Sequence, residues 1–184
     1  MNNDIALTVT KMDAARRQLD VAIELWFIGG DPVAVHTLAA AAHEIIHTLF
    51  KKKGLKGLFF DNEIIKDKKY RNEINRALKD VASFFKHADK DSSATLPFKT
   101  KLNEVLLIYA VDGLRRMGEE WSKVESTFAL WLWVHNPDWF TGKVPPGKGI
   151  PIEGREKLLG INKREFFEAL VLGQFKDEGT WNLP

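Results

Sequence analysis

The spacing of the apolar residues limits the fold of this chain more than any other feature. Through most of the sequence apolar side chains recur at every third or fourth position, as Met12, Leu19 and Ile23 do near the N-terminus. No run alternates between apolar and polar residues for long enough to predict a strand. The sequence therefore predicts an all-α fold, an up-and-down bundle of about five helices with a C-terminal arm.

The predicted helices have clear boundary signals at the first connection. Gly29 and Gly30 end the first helix, and Asp31 followed by Pro32 begins the second. Because this connection is short, the two helices should pack antiparallel. The bundle helices are predicted over residues 4–28, 32–52, 68–87, 99–117 and 120–135, with a last short helix over residues 163–172.

The chain is expected to divide near residue 140. Residues 1–140 form the helical bundle domain, and residues 141–184 form a connection followed by the arm. Residues 141–154 hold three Pro and four Gly, which predicts an irregular connection. The arm carries Phe166 and Phe167, so it should pack either on its own bundle or on a partner subunit.

Composition excludes several classes of protein. The 184 residues include no Cys, which rules out disulfide scaffolds, thiolate zinc sites and cysteine nucleophiles. The formal charge of +2 is too small to indicate a nucleic-acid or membrane partner by itself. No targeting segment is evident, and the apolar run over residues 128–134 is far shorter than the about 20 residues that cross a bilayer. We therefore expect a cytoplasmic protein with no membrane partner.

One short motif in the second helix carries recognisable chemistry. His43, Glu44 and His47 match the pattern H-E-x-x-H, in which two imidazoles one helical turn apart bind a metal and the Glu acts as general base. Zinc peptidases set this helix beside a sheet edge that holds the substrate, and no sheet is predicted here. The motif therefore favours a metal site without peptidase activity.

The same helix carries a third histidine on the same side. His36, His43 and His47 lie within about 40° of one another on a helical wheel, roughly 135° from the aliphatic centre of the helix. This stripe should therefore face solvent or line a polar pocket between helices.

A second group of polar residues follows the third helix. If helices two and three are neighbours, His43, His47, His87 and Asp89 could meet around one divalent transition metal such as zinc. With Glu44 as general base, that site would be a metal-dependent hydrolase. The alternative is a set of histidines that are hydrogen-bonded to side chains or water.

Two segments resemble a known family. An Ala-rich helix, residues 38–46, follows a Gly-Gly-Asp turn, and residues 85–89 read aromatic-Lys-His-x-Asp. Over roughly residues 10–115 the chain resembles bacterial helical proteins of the HEPN-like (higher eukaryote and prokaryote nucleotide-binding) type. The resemblance implies a binding or regulatory helical domain linked to RNA or to defence systems, in which many members are ribonucleases.

The resemblance also implies roles for particular residues. The working motif of these ribonucleases is an Arg followed, four to six residues later, by a His, and His87 takes the His position. Val81, Ala82 and Ser83 stand where the Arg is expected. The candidate catalytic residues are His87, which the resemblance implies, and Glu44, the general base of the H-E-x-x-H motif. The phosphate-holding Arg of the resemblance is missing.

A basic segment follows the second helix. Residues 51–71 contain eight Lys or Arg and three Asp or Glu, a bias that could follow a phosphate backbone. Lys51, Lys52, Lys53 and Arg71 are the candidate RNA contacts. The alternative is a solvated loop and helix start.

The tryptophans of the fifth predicted helix suggest an interface. Trp131 and Trp133 cannot share one helix face, so at least one should meet something outside the main core. This predicts a homodimer, and a structural homodimer with no catalytic site is the remaining functional hypothesis.

Overall fold

The computed structural model describes residues 6–55, 68–87, 92–136 and 152–172, with no side-chain description for residues 68, 70, 71 and 152–154. Over this part of the chain it contains helices only, so the predicted all-α class is confirmed. The seven helices described are α1 (Lys11–Ile28), α2 (Pro32–Lys52), α3 (Lys68–Phe84), α4 (Leu102–Arg116), α5 (Lys123–His135), α6 (Ile152–Leu159) and α7 (Lys163–Val171).

Helix α2 is the centre of the bundle. It packs most extensively against α1 and α4, and α3 lies along a third side of it. Its start is fixed as the sequence predicted, because the Asp31 carboxylate accepts hydrogen bonds from the backbone N–H groups of Val33 and Ala34, both at 2.9 Å. Gly29 ends α1 in the left-handed conformation, at φ 73°, which lets the chain reverse directly into α2.

Three predicted helix starts, those of α1, α4 and α5, were too early, and one local motif explains two of them. Helix α1 begins at Lys11 rather than residue 4, and α5 begins at Lys123 rather than residue 120. Each starts with a capping box, in which the side chain of Thr10 or Ser122 accepts from the backbone N–H three residues later. The apolar spacing continues upstream of both caps and does not reveal them.

The other boundaries differ by a few residues, and one helix was not predicted. Helix α3 ends at Phe84 rather than residue 87, α4 covers Leu102–Arg116, and α7 ends at Val171. Helix α6 begins inside the segment that the Pro and Gly content had assigned to an irregular connection.

The C-terminal arm packs on its own chain. The Phe166 ring stacks on Phe27 of α1 with centroids 6.4 Å apart, and meets Trp131 of α5 edge-on at 5.0 Å. Trp131 and Trp133 are both half-buried and packed against the core of their own chain. The homodimer therefore stays a prediction.

Helix α2 is long and apolar enough to meet the criteria for a membrane span, which the sequence reading overlooked. The helix has 21 residues, and 44% of its most apolar stretch is buried inside the protein. The helices α1 and α4 cover it. A helix buried in the core of a bundle meets the same criteria, and α2 has that position here.

Candidate functional site

A pocket of about 490 Å³ lies between α2 and α3, and we call it the α2–α3 pocket. It contains most of the polar residues that the sequence singled out, since His43, Glu44 and His47 line it from α2 and His87 lines it from the segment just after α3. Its full lining is Ala40, His43, Glu44, His47, Thr48, Lys51, Leu78, Lys79, Ala82, Ser83, Lys86, His87 and Leu106.

His43 lies deepest among the polar lining residues. Its side chain is 2% exposed, and its ring lies nearly parallel to that of His47, with centroids 5.9 Å apart. Burial, together with the neighbouring His47, lowers the pKa of His43 from 6.5 to about 4. His43 is therefore neutral at neutral pH and can offer a ligand a hydrogen bond but no charge.

His36 has a structural environment. It is fully buried, and its Nδ1 lies 2.9 Å from Asn103 Oδ1. Since Asn103 Nδ2 donates to the Pro32 carbonyl at 2.9 Å, the amide orientation is fixed and His36 Nδ1–H must donate to Oδ1. The edges of Phe85 and Phe98 enclose the ring. His36 thus ties the start of α2 to α4.

The histidine stripe therefore has a mixed environment. His43 and His47 line a pocket, which is one of the two environments predicted for the stripe. The stripe does not face solvent, and His36 is buried inside the protein. The reason is that α2 is covered on three sides, by α1, α4 and α3. A helical wheel identifies the most apolar face but not how many faces are covered.

Positive charge dominates the rim of the pocket. Lys51 lies on α2, Lys79 lies on α3 and Lys86 lies in the turn that follows α3; we call Lys79 and Lys86 the α3 lysines. Among the lining residues that the structure describes, Glu44 is the one carboxylate. The sequence reading missed Lys79 and Lys86, although their spacing of seven residues places both on one face of the helix predicted over residues 68–87.

The predicted basic contacts separate into different environments. Lys51 lines the pocket, whereas Lys52 is exposed outside it. Lys53 has an internal role, because its Nζ donates to the Met117 carbonyl at 3.0 Å and to Glu119 Oε1 at 3.4 Å. Lys53 therefore attaches the end of α2 to the turn after α4.

Two predicted site residues cannot be placed. Asp89 and the Arg71 side chain lie outside the described part of the chain. Within that part, no three His, Cys, Asp or Glu side chains are grouped closely enough to hold a metal ion. His87 is exposed at the pocket rim. The metal site therefore stays a prediction.

Arg76 also lies outside the pocket. It pairs with Asp80 one turn along α3, at 3.4 Å, and its side chain is 84% exposed. It does not supply the arginine that the HEPN-type motif lacks. The cations that line this side of the pocket are Lys79 of α3 and Lys86 in the turn after it.

Comparison with protein-family models, with curated proteins and with solved structures found no match for this chain. The HEPN-like relationship therefore stays an expectation from the sequence. The chemistry of the pocket has to be inferred from its own residues.

Those residues suit an anion. Lysine ammonium groups bind phosphate as point charges, and here they come from both walls of one pocket. The floor includes the apolar side chains of Ala40, Leu78, Ala82 and Leu106, of which Leu78 and Leu106 are each 2% exposed. A ligand that joins an anionic group to a less polar body would contact both the lysines and the apolar floor of the pocket.

Proposed function

We propose that this protein is a cytoplasmic RNA-binding helical domain, which holds phosphate groups of the RNA in the α2–α3 pocket. The observation that carries this proposal is the placement of Lys51, Lys79 and Lys86 around one pocket whose described lining includes a single carboxylate, Glu44. Cationic side chains that contact phosphates supply most of the affinity of sequence-independent binding.

The choice of RNA over other anions has a second support in the sequence. The Ala-rich helix and the ending at residues 85–89 resemble proteins linked to RNA, and both segments contribute to this pocket through His43 and His87. His47 and His87 could also transfer protons near a bound phosphate. Binding is the primary function that we propose, because the motif arginine is missing.

The test is RNA binding by a variant that has lost the two α3 lysines. In fluorescence anisotropy with a single-stranded RNA of about ten nucleotides, we expect Lys79→Ala/Lys86→Ala to bind about ten-fold or more weakly than wild type. The matched control is Lys123→Ala/Lys157→Ala, which removes two exposed lysines from α5 and α6 and keeps the same net charge as the test variant.

The control separates a local site from general charge attraction. If both double variants lose affinity equally, the RNA is held by net charge and the pocket is not the site. If wild type binds no RNA at low salt, the proposed function is wrong. Circular dichroism should show the same helix content in all three proteins, since the substituted side chains are exposed.

A metal-dependent hydrolase is the second candidate, because His43, Glu44 and His47 share one wall of the pocket. This hypothesis predicts about one transition-metal ion per chain in protein purified without a His-tag. It also predicts that His43→Ala and His47→Ala each abolish stoichiometric metal. Elemental analysis that finds metal retained in either variant contradicts it.

A further inference from the structure

The deepest lining residues of the α2–α3 pocket are almost closed to solvent. Ala40, His43, Leu78 and Leu106 all line it, and none of them is more than 8% exposed. A ligand that enters the pocket as it stands can contact the rim but barely touches these residues. Full contact with His43 or with the apolar floor therefore requires one wall of the pocket to move.

Helix α3 is the wall that is held by fewer buried side chains. Among its described side chains Leu78 and Val81 are buried, whereas α2 buries eight of its own. The described side chains in its first half, over residues 69–76, are exposed or half-buried. Within the described part of the chain α3 packs mainly on α2, while α2 is also held by α1 and α4. Because elements with few buried apolar contacts open at the lowest free energy, α3 should separate from α2 well before the bundle unfolds.

The end of α3 has a firmer attachment than its first half. Phe85, the first residue after α3, meets the ring of His36 edge-on at 5.6 Å and the ring of Phe98 edge-on at 5.1 Å. His36 lies near the start of α2, so these contacts fix one end of α3 to one end of the pocket. The helix can swing away from α2 while this end stays in place.

We propose that α3 is a movable wall, which swings away from α2 to admit a ligand to the floor of the α2–α3 pocket and then closes over it. The opening exposes Ala40 and His43 on α2, together with the Leu78 side chain on α3. This inference goes beyond the proposed RNA binding, because it applies to any ligand that reaches the floor of this pocket.

Thiol labelling can measure the opening, since the chain contains no Cys. Ala40→Cys places one thiol in the lining of the pocket, and the matched control Ala39→Cys places one at the adjacent position, which is fully buried and does not line the pocket. With excess iodoacetamide and no denaturant, we expect the thiol of Ala40→Cys to react at least about 100-fold faster than that of Ala39→Cys. Equal rates would overturn the proposal, because global unfolding would then expose both thiols.

A second substitution separates opening from direct access through the pocket as it stands. Val81 is buried on α3 but does not line the pocket, so Val81→Ala weakens the packing of α3 without widening the pocket. We expect it to speed the labelling of Ala40→Cys about ten-fold. The matched control Val134→Ala, at a fully buried position on α5, should leave that rate unchanged. No acceleration by Val81→Ala, or equal acceleration by both substitutions, would overturn the opening of α3.

Labelling in the presence of RNA tests whether the opening is the route of entry. RNA at about ten times its Kd should slow the labelling of Ala40→Cys about ten-fold, because it occupies the pocket beneath α3. RNA that binds in the anisotropy assay without changing the labelling rate would contradict this route. If no RNA binds, the proposed function fails, while the rates measured without RNA still decide whether α3 opens.

Discussion

Acidification should destabilise this protein through His43. The pKa of His43 is lowered from 6.5 to about 4 because the folded protein buries the ring and places it beside His47. As the pH falls from about 6.5 to about 4, the unfolded chain takes up a proton at this residue while the folded chain does not. The contribution of neutral His43 to the free energy of unfolding is fully present above pH 6.5 and is lost as the pH falls to about 4.

The size of the effect follows from the pKa difference. At about 1.4 kcal/mol per pKa unit, it amounts to about 3 kcal/mol between neutral pH and pH 4. His36, whose pKa burial also lowers, acts in the same direction, so wild type alone does not isolate His43. The difference in the free energy of unfolding between wild type and a variant at residue 43 isolates the effect of His43, because both proteins contain His36.

The measurement is urea unfolding followed by tryptophan fluorescence across this pH range, for wild type, His43→Gln and His43→Leu. Neither variant can take up a proton at residue 43, so the free energy of unfolding of wild type should fall by about 3 kcal/mol relative to each. The two variants should differ from each other by a constant offset. A difference between wild type and both variants that does not change with pH would refute the reasoning.

Three further predictions concern two buried side chains and the oligomeric state. Burial raises the pKa of Glu125, whose side chain is fully buried, so its stabilising contribution is present in acid and is lost as the pH rises. Glu125→Gln should therefore raise the free energy of unfolding at neutral pH in urea denaturation, while keeping the capping box. Phe27→Ala removes a buried ring that contacts α5 and α7 and should cost about 3–5 kcal/mol in chemical denaturation; a loss below 1 kcal/mol would contradict this core. Light scattering should give about twice 20.9 kDa if the chain is a homodimer, and a clean 20.9 kDa would end that hypothesis.

The sequence predicted the helices best where a boundary has its own chemical signal. The start of α2 was right because its signals act locally: Asp31 accepts from backbone N–H groups two and three residues later, and Pro32 fixes the backbone of the first helical residue. The start of α1 was wrong because the spacing of apolar residues does not stop at Thr10, although the capping-box partners Thr10 and Asp13 were present in the sequence.

The candidate site was predictable only in part, because a pocket depends on which helices are neighbours. The histidines of α2 could be placed on one face from their spacing. That His36 is sealed by Phe85 and Phe98 while His43 lines a pocket depends on contacts between residues far apart in the sequence. Lys79 and Lys86 were not predicted as site residues for the same reason, since lysines form a binding site only where a second helix lies beside them.

The most direct test of the central claim is an NMR titration that follows the five histidine rings while RNA is added. His43, His47 and His87 line the α2–α3 pocket, whereas His135 stacks on Trp131 at the end of α5. RNA bound in the pocket should shift the ring resonances of His47 and His87 and leave those of His135 unchanged. RNA that binds while the resonances of His47 and His87 stay unchanged would contradict the account.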